Sequence, residues 1–334
     1  MGMNLELEHK VALIDYDEAL FAPLGDETER LAAVGARWET YQCHTTEQAL
    51  EAARDAVVVV IQTVRPLLTR AVIAQLPAAR CLVRAGAGYD SIDYKAATEY
   101  GKMVCNTPTY CTEDVADHAV TLMLASVRHV ARLDAALRRG EYPRALARPT
   151  HRVHGTTLGI IGLGRIGGAV AQRVRGWEMR VLACDPYIDQ AQADRFGATL
   201  VSLDELLTQS DFVSVHCPLT DETFHLLGKE QFARIKPGLV LVNTARGPII
   251  DEAALAEALQ DGRVLSAGLD VTEQEPLASD SPLLRLSNVI LTPHISANSE
   301  EARADLYRLI CEIAGDVVQG RVPQFVVNPE VLRK

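Results

Sequence analysis

The sequence contains no uncharged run long enough to cross a bilayer, so a membrane-spanning helix is not expected. No block of Lys or Arg stands out, and the formal net charge is −11. That balance argues against binding nucleic acid or an anionic membrane surface, so an acidic ligand has to be met by locally placed donors. Seven cysteines, an odd number, are scattered without a CxxC pair, so neither a disulfide framework nor a zinc site is expected. Reduced, mostly buried thiols in a cytoplasmic protein are expected. The opening MGMNLELEHK lacks the apolar core of a signal peptide, and Gly2 is followed by Glu6 where a myristoylation signal has Ser or Thr. Internal repeats and low-complexity stretches are also missing. What is present is 334 residues, 48% hydrophobic and 23% charged, enough for a substantial core and of a length that suits two α/β domains.

One stretch organises the rest. Gly162-Leu163-Gly164-Arg165-Ile166-Gly167 follows the apolar run Leu158-Gly159-Ile160-Ile161 and opens a segment with Ile166, Val170, Val174 and Trp177 at helical spacing. A strand, a tight glycine turn and a helix N-terminus make an anion cradle: the glycines let backbone N–H groups approach a pyrophosphate, and the helix dipole favours its charge. Eighteen residues after Gly167 a second apolar run, Val181-Leu182-Ala183-Cys184, ends in Asp185, placed as an acid that hydrogen-bonds a ribose diol. Asp185 favours NAD over NADP, because its carboxylate repels a 2′-phosphate and Pro186-Tyr187-Ile188 brings no Arg. A GxGxxG alone is also compatible with an ordinary glycine turn; the flanking strand, helix and acid give it weight.

Strand-like runs alternate with helical patterns from the start: Val11 to Ile14, a helix over 26–35, Val57 to Ile61, a helix over 69–76, Cys81 to Val83 and Met103 to Cys105. Val57 to Ile61 is apolar at every position, as in a strand covered on both faces, and the alternation implies a parallel sheet. Asn106-Thr107-Pro108 breaks the pattern. Thr112 is placed to cap a long helix that is expected to run to Arg138-Arg139-Gly140, with Val115, Ala119, Leu122, Ser126, Val130, Leu133 and Leu137 on one face. Ala119 to Val127 is apolar on nearly every face. That fits a helix buried between domains, and better a helix that also packs against a second copy. After a polar connection over 141–157, strands are expected at Phe212 to His216, Leu239 to Val242, Leu265 to Leu269 and Val289 to Leu291, and a final helix from Glu300 to Val318. Breaks near 107 and 298 give two domains: residues 1–107 with 299–334, and residues 108–298.

Open parallel sheets bind ligands beyond the carboxyl ends of their strands. Three strand ends carry Arg246, the acids Asp270, Glu273 and Glu275, and His294. Interconverting C–OH and C=O with a nicotinamide needs a base for the hydroxyl proton, which His supplies near neutrality. A carboxylate on its second nitrogen stabilises the imidazolium, and a guanidinium holds a substrate carboxylate. Composition does not choose between Glu273 and Glu275, and His216, which also ends a strand, competes with His294. His118, His151 and His154 read as structural. Arg84-Ala85-Gly86-Ala87-Gly88-Tyr89-Asp90 has Ser91 in place of a third glycine, so it reads either as a tight turn or as a carboxylate-binding loop. Arg65 reads either as a distal anion contact or as a solvated loop charge.

The runs RAGAGYDSID, VCNTPTYCTEDVADHAV, LGIIGLGRIG, VNTARGPIIDE, LDVTEQEP and LTPHIS, in this order over nearly the whole chain, resemble the D-2-hydroxyacid dehydrogenase family, which includes phosphoglycerate dehydrogenases and the C-terminal-binding-protein corepressors. The resemblance implies an α/β fold of two Rossmann-like domains with parallel sheets and a cleft between them, a flavodoxin-like substrate domain, and a homodimer formed through the NAD-binding domain. It implies Arg246 as the substrate-binding and polarising residue, His294 as acid/base and Glu275 as its partner. It further implies NAD contacts at Ala87, Gly162, Gly164, Arg165, Ile166, Gly167, Asp185, Cys217, Thr223, Thr244, Ala245, Arg246, Asp270 and His294, and substrate contacts at Arg84, Gly86 and Arg246. No metal is implied. The expected activity is NAD-dependent interconversion of a small 2-hydroxy acid, of the D series, and its 2-oxo acid. The alternative is an NAD(H)-sensing, corepressor-like binding protein. Ala297, where the corepressors carry a Trp, counts against that alternative, and Glu275 counts against formate dehydrogenases, which use Gln. The C-terminal regulatory domains of long phosphoglycerate dehydrogenases have no counterpart before Lys334.

Overall fold

In the computed structural model of the chain, which describes residues 8–333, the strand pairings of both sheets are all parallel. The N-terminal features that rest on Gly2 and Glu6 lie outside the described residues. The chain divides into two compact units, one holding residues up to Cys111 and from Asn298 onward, the other Thr112–Ala297.

In the first unit, β1 (His9–Asp15), β2 (Ala36–Thr40), β3 (Ala56–Ile61), β4 (Cys81–Arg84) and β5 (Met103–Asn106) form one sheet in the order β2-β1-β3-β4-β5. This is the flavodoxin-like order. β3 lies at its centre, and Val58 to Ile61 are fully buried because helices cover both faces, which is why no polar residue interrupts that run. The closing helix Glu300–Val318 belongs to this unit and is capped by Ser299, whose side chain accepts from the Ala302 N–H. Its buried Tyr307 donates to the Phe21 carbonyl at 2.6 Å.

In the second unit, β6 (Thr157–Ile161), β7 (Arg180–Cys184), β8 (Ala198–Leu200), β9 (Phe212–Val215), β10 (Leu239–Asn243), β11 (Val264–Leu269) and β12 (Val289–Leu291) lie in the order β12-β11-β10-β9-β6-β7-β8. β7 and β8 are laid down to one side of β6 and the rest to the other, so the strand order reverses between β6 and β9 while every pairing stays parallel. That switch is the Rossmann arrangement, and the crevice beyond the strand ends there is where such sheets take ligands.

Some local expectations need correction. The helix expected over 26–35 closes at Ala32, because the chain turns at Gly35 (φ +80°) into β2. The long helix does not reach Arg138 unbroken. It runs Thr112–Val127, with Thr112 as its first helical residue and not its cap, and a separate helix spans Val130–Arg138. Between them His129 sits in the left-handed region (φ 54°), buried, with its Nε2 donating to the Pro149 carbonyl at 2.6 Å. The turn rotates the apolar face expected to continue from Val115 to Leu137, leaving Val130 and Leu137 more than half exposed. The first helix packs on β10, β11 and the helix Arg165–Arg173, and Leu122 comes so close to Gly268 that a side chain there would collide with it. No helix among the described residues is long and apolar enough to cross a membrane, and the seven cysteines are free thiols.

Candidate active site

The residues singled out in the second unit gather at one edge of its sheet, because each follows the carboxyl end of a strand: Gly162 after β6, Asp185 after β7, Cys217 after β9, Arg246 after β10, Asp270 after β11 and His294 after β12.

Gly162 takes φ +90°, and a Cβ there would run into the backbone of Cys217, so the turn needs glycine on two grounds. A side chain at Gly167 would strike the Gly162 carbonyl, whereas at Gly164 a Cβ meets no atom of the chain within 4 Å. Gly164 is the N-cap of Arg165–Arg173 and supplies no side-chain cap, which leaves the first N–H groups of that helix for an outside acceptor. Arg165 is exposed and Ile166 half-buried beside them. Asp185 accepts from the Leu163 N–H through Oδ2 and from the Tyr187 N–H through Oδ1, both at 2.9 Å. Each oxygen keeps a second lone pair for a hydroxyl. Around the same edge, the Thr244 hydroxyl is buried without a partner, and burial pushes the Cys217 thiol up to about 12. Thr223 holds its loop together by donating to the Pro218 carbonyl and accepting from the Thr220 N–H, each at 2.7 Å. An open cradle, an uncapped helix N-terminus and an orphaned hydroxyl fit a dinucleotide.

Asn243, buried at the end of β10, accepts from the Ala245 N–H (2.9 Å) and donates to the Arg246 carbonyl (2.8 Å), folding the loop that carries Arg246 back on itself. Arg246 itself donates to the Ala245 carbonyl at 2.7 Å. Gly247 follows because the loop passes against the Thr272–Glu273 backbone, where a Cβ has no room.

His294 Nδ1 lies 2.7 Å from Glu275 Oε2, with both side chains about one-third exposed or less. The carboxylate fixes the proton on Nδ1, and Nε2 has no hydrogen-bond partner among the described residues. The two acids that composition left level thus have different surroundings. Glu273 accepts from the Glu252 N–H at the start of the Glu252–Gln260 helix (2.8 Å) and lies 3.3 Å from His225.

His294 adopts φ 54°, rare for a non-glycine residue and held here by Asp270. The fully buried Asp270 carboxylate accepts from Thr292 Oγ1 (2.6 Å), Ile295 N–H (2.9 Å) and Ser296 N–H (2.8 Å), and its carbonyl accepts from the His294 N–H (2.8 Å). His118, expected to be structural, joins this network at 3.0 Å from Thr292 Oγ1 and 3.6 Å from Asp270. Its helical position in EDVADHAV gives no hint, since Thr292 lies 174 residues further along the chain. The competitor His216 bonds Ser214 Oγ at 2.7 Å, and burial pushes it down to about 4, which keeps it neutral at physiological pH. His151 is exposed, and His154 faces Glu178 at 3.5 Å.

In the first unit, Arg84 is buried and its guanidinium donates to the Ala85 carbonyl. The Gly86 N–H already donates to the Arg84 carbonyl (2.9 Å) and its carbonyl accepts from Thr107, so this amide is engaged within the turn. The Ala87 carbonyl accepts from Asn106 at 2.6 Å. Arg65 stays about half exposed and pairs with the buried Asp15 at 3.0 Å, with His44 Nδ1 at 2.7 Å.

Comparison with known proteins puts a family to this arrangement. Residues 120–296 match the model of the D-isomer specific 2-hydroxyacid dehydrogenase, NAD binding domain. A glyoxylate reductase from Korarchaeum cryptofilum is 43% identical over 260 residues, 77% of this chain and 78% of that protein. A D-3-phosphoglycerate dehydrogenase from Methanocaldococcus jannaschii is 42% identical over 85% of this chain, which spans only 54% of that protein's length. Among solved structures, the D-lactate dehydrogenase of Aquifex aeolicus complexed with NAD and lactic acid superposes with a TM-score of 0.82 at 27% identity, covering 93% of this chain and 96% of that one. The chain belongs to the D-isomer-specific 2-hydroxyacid dehydrogenases, NAD-dependent oxidoreductases that act on CH–OH donors.

Proposed function

We propose that the protein interconverts a small D-2-hydroxy acid and its 2-oxo acid, with His294 as acid/base, Glu275 as its partner and Arg246 as the carboxylate-holding and carbonyl-polarising residue. The observation that carries this is the 2.7 Å pair between His294 Nδ1 and Glu275 Oε2 on the same sheet edge as Arg246 and the glycine turn. Bound NADH supplies the hydride that reduces the carbonyl carbon. The His294 imidazolium gives its Nε2 proton to the carbonyl oxygen, and Glu275 stabilises the charged ring before that transfer. Arg246 offsets the charge that grows on the oxygen. In the oxidative direction neutral His294 takes the hydroxyl proton. His216, neutral and bonded to Ser214, is poorly suited to that work.

The cofactor would be held by Gly162, Gly164, Arg165, Ile166 and Gly167 at the pyrophosphate and by Asp185 at the ribose. Cys217, Thr223, Thr244, Ala245 and Asp270 complete that set, and Ala87 is assigned to the cofactor as well. Arg84 and Gly86 are further substrate contacts in the same proposal, Gly86 with the qualification that its N–H must leave the Arg84 carbonyl. The unit that carries them, with the boundaries near 107 and 298, is the substrate domain. A homodimer is also part of the proposal, supported by exposed Val130, Leu137 and Tyr142, the last 82% exposed.

The test is steady-state reduction of glyoxylate, hydroxypyruvate, phosphohydroxypyruvate, pyruvate and sulfopyruvate with NADH and with NADPH. At least one of these is expected to turn over, with kcat/KM at least ~10-fold higher for NADH, a difference of about 1.4 kcal/mol set by Asp185. Equal rates with the two cofactors contradict the role of Asp185.

A further inference from the structure

Glu275 does not sit on a regular element. It is carried by the loop that follows β11, over residues 270–276, so its distance from His294 is only as well defined as that loop. Two contacts hold the loop inside the second unit. On one flank the Thr272–Glu273 backbone packs so closely on Gly247, beside Arg246, that a Cβ there has no room. On the other flank stands the helix Glu252–Gln260. The Glu273 N–H donates to Glu252 Oε1, and the Glu252 N–H donates to Glu273 Oε1 at 2.8 Å. Each glutamate side chain thus accepts from the other's backbone amide, a closed clasp between residues 21 apart in the chain. His225, whose N–H donates to the Pro248 carbonyl (2.8 Å), brings Nε2 to 3.3 Å from the same Glu273 oxygen.

Capping the helix does not require this clasp. Asp251 already does so, accepting from the Ala254 N–H at 3.0 Å. The clasp is also electrostatically unfavourable. Burial, and then the negative charges of Glu273 and Glu275, push the half-buried Glu252 carboxyl up from its ordinary range, against the bond from the Glu273 N–H. What the arrangement supplies is a fixed place for Thr272 and Glu273. The Thr272 N–H donates to Glu275 Oε1 at 3.3 Å, and its hydroxyl donates to the Gln274 carbonyl at 2.8 Å. Oε2 of Glu275 is left for His294 Nδ1 at 2.7 Å.

We propose that Glu252 and Glu273 are positioning residues for the His294–Glu275 pair. Their clasp fixes Thr272, Thr272 orients the Glu275 carboxylate, and that carboxylate holds the imidazole. The proposal rests on the roles given above to His294 and Glu275. A misplacement of about 1 Å at a reacting group can cost on the order of 10²-fold in rate, so a clasp remote from the substrate is able to act on the chemical step.

The test is a double-mutant cycle on the full-length protein, read as the single-turnover rate of NADH oxidation with the 2-oxo acid that turns over fastest. Glu275→Ala and Glu252→Ala are each expected to slow that rate at least ~10-fold, with the KM for the 2-oxo acid and the affinity for NADH changed less than ~2-fold in Glu252→Ala. Glu252→Gln, which keeps an acceptor for the Glu273 N–H, is expected to restore most of the rate. In the Glu275→Ala background, Glu252→Ala is expected to cause no further loss, because the clasp acts through Glu275. Glu273→Ala, at a position about one-third exposed, is expected to repeat this pattern and replaces Glu252→Ala in the cycle if that variant does not fold. Losses that multiply in the cycle overturn the clasp, since a role in stability alone acts equally in both backgrounds. A Glu252→Gln variant as slow as Glu252→Ala also overturns it, because charge and not the bond then matters. Full activity in Glu252→Ala and Glu273→Ala beside an impaired Glu275→Ala overturns the clasp and leaves the His294–Glu275 pair standing. Full activity in Glu275→Ala overturns the pair, and the clasp with it.

Discussion

At the scale of single residues, the site rests on how each polar group is spoken for. Asp270 shows it best: every lone-pair direction of its buried carboxylate that the loop reaches is used on Thr292, Ile295 and Ser296, and the outcome is a histidine held at an unfavourable φ. His216 shows the opposite arrangement, a ring kept neutral by burial, and this makes it visible in acid stability. Its pKa in the folded protein, about 4, lies below the ordinary 6.5. The unfolded chain therefore binds more protons between those values, and the stabilising contribution is complete above about pH 6.5 and lost as the pH falls towards 4. Its size is at most about 3 kcal/mol. His216→Gln, which preserves a partner for Ser214, is expected to flatten the fall in Tm between pH 6.5 and 4 relative to the parent protein. Identical Tm-against-pH curves contradict the burial of a neutral ring.

At the scale of elements, the glycine turn separates folding from binding. Gly162 is required by the chain itself, through its φ of +90° and the closeness of Cys217, while Gly164 faces space that no protein atom fills. Gly164→Ala is therefore expected to leave Tm within about 1 °C and to weaken NADH binding at least ~10-fold, about 1.4 kcal/mol. Gly162→Ala is expected to lower both Tm and affinity. Wild-type affinity in Gly164→Ala would place the pyrophosphate elsewhere. The same scale shows where the sequence is a poor guide. β3 and the Leu239–Val242 run of β10 are recognisable because interior strands covered on both faces carry apolar residues there. β2 (Ala-Arg-Trp-Glu-Thr) and β8 (Ala-Thr-Leu) are edge strands with exposed positions, so nothing in their patterning distinguishes them from loops. The break at His129 is hidden because Val130, Leu133 and Leu137 continue the helical period; what ends the helix is a tertiary contact with Pro149. Strand ends can be located from the apolar runs, which is why Arg246, Glu275 and His294 can be shortlisted from sequence. The choice of Glu275 over Glu273, and the entry of His118 and Asn243, depend on side-chain distances that spacing does not contain.

At the scale of the whole molecule, the acidic balance and the arginine-rich segment after Val127 are two sides of one charge distribution. The same segment exposes Val130, Leu137 and Tyr142, a grouping that suits burial against a second copy. Sedimentation equilibrium is expected to give twice the 36.4 kDa chain mass. Leu137→Glu together with Tyr142→Glu is expected to shift it towards the monomer, and a monomeric parent protein contradicts the homodimer.

The account's central claim is that His294, held by Glu275, moves the proton that accompanies reduction of a 2-oxo acid. The most direct test measures glyoxylate and hydroxypyruvate reduction by the parent protein and by His294→Ala, with NADH binding followed by fluorescence in both. The predicted result is a loss of at least ~10³-fold in kcat with NADH affinity retained, within the range that general acid–base catalysis supplies. Comparable turnover by His294→Ala would contradict it.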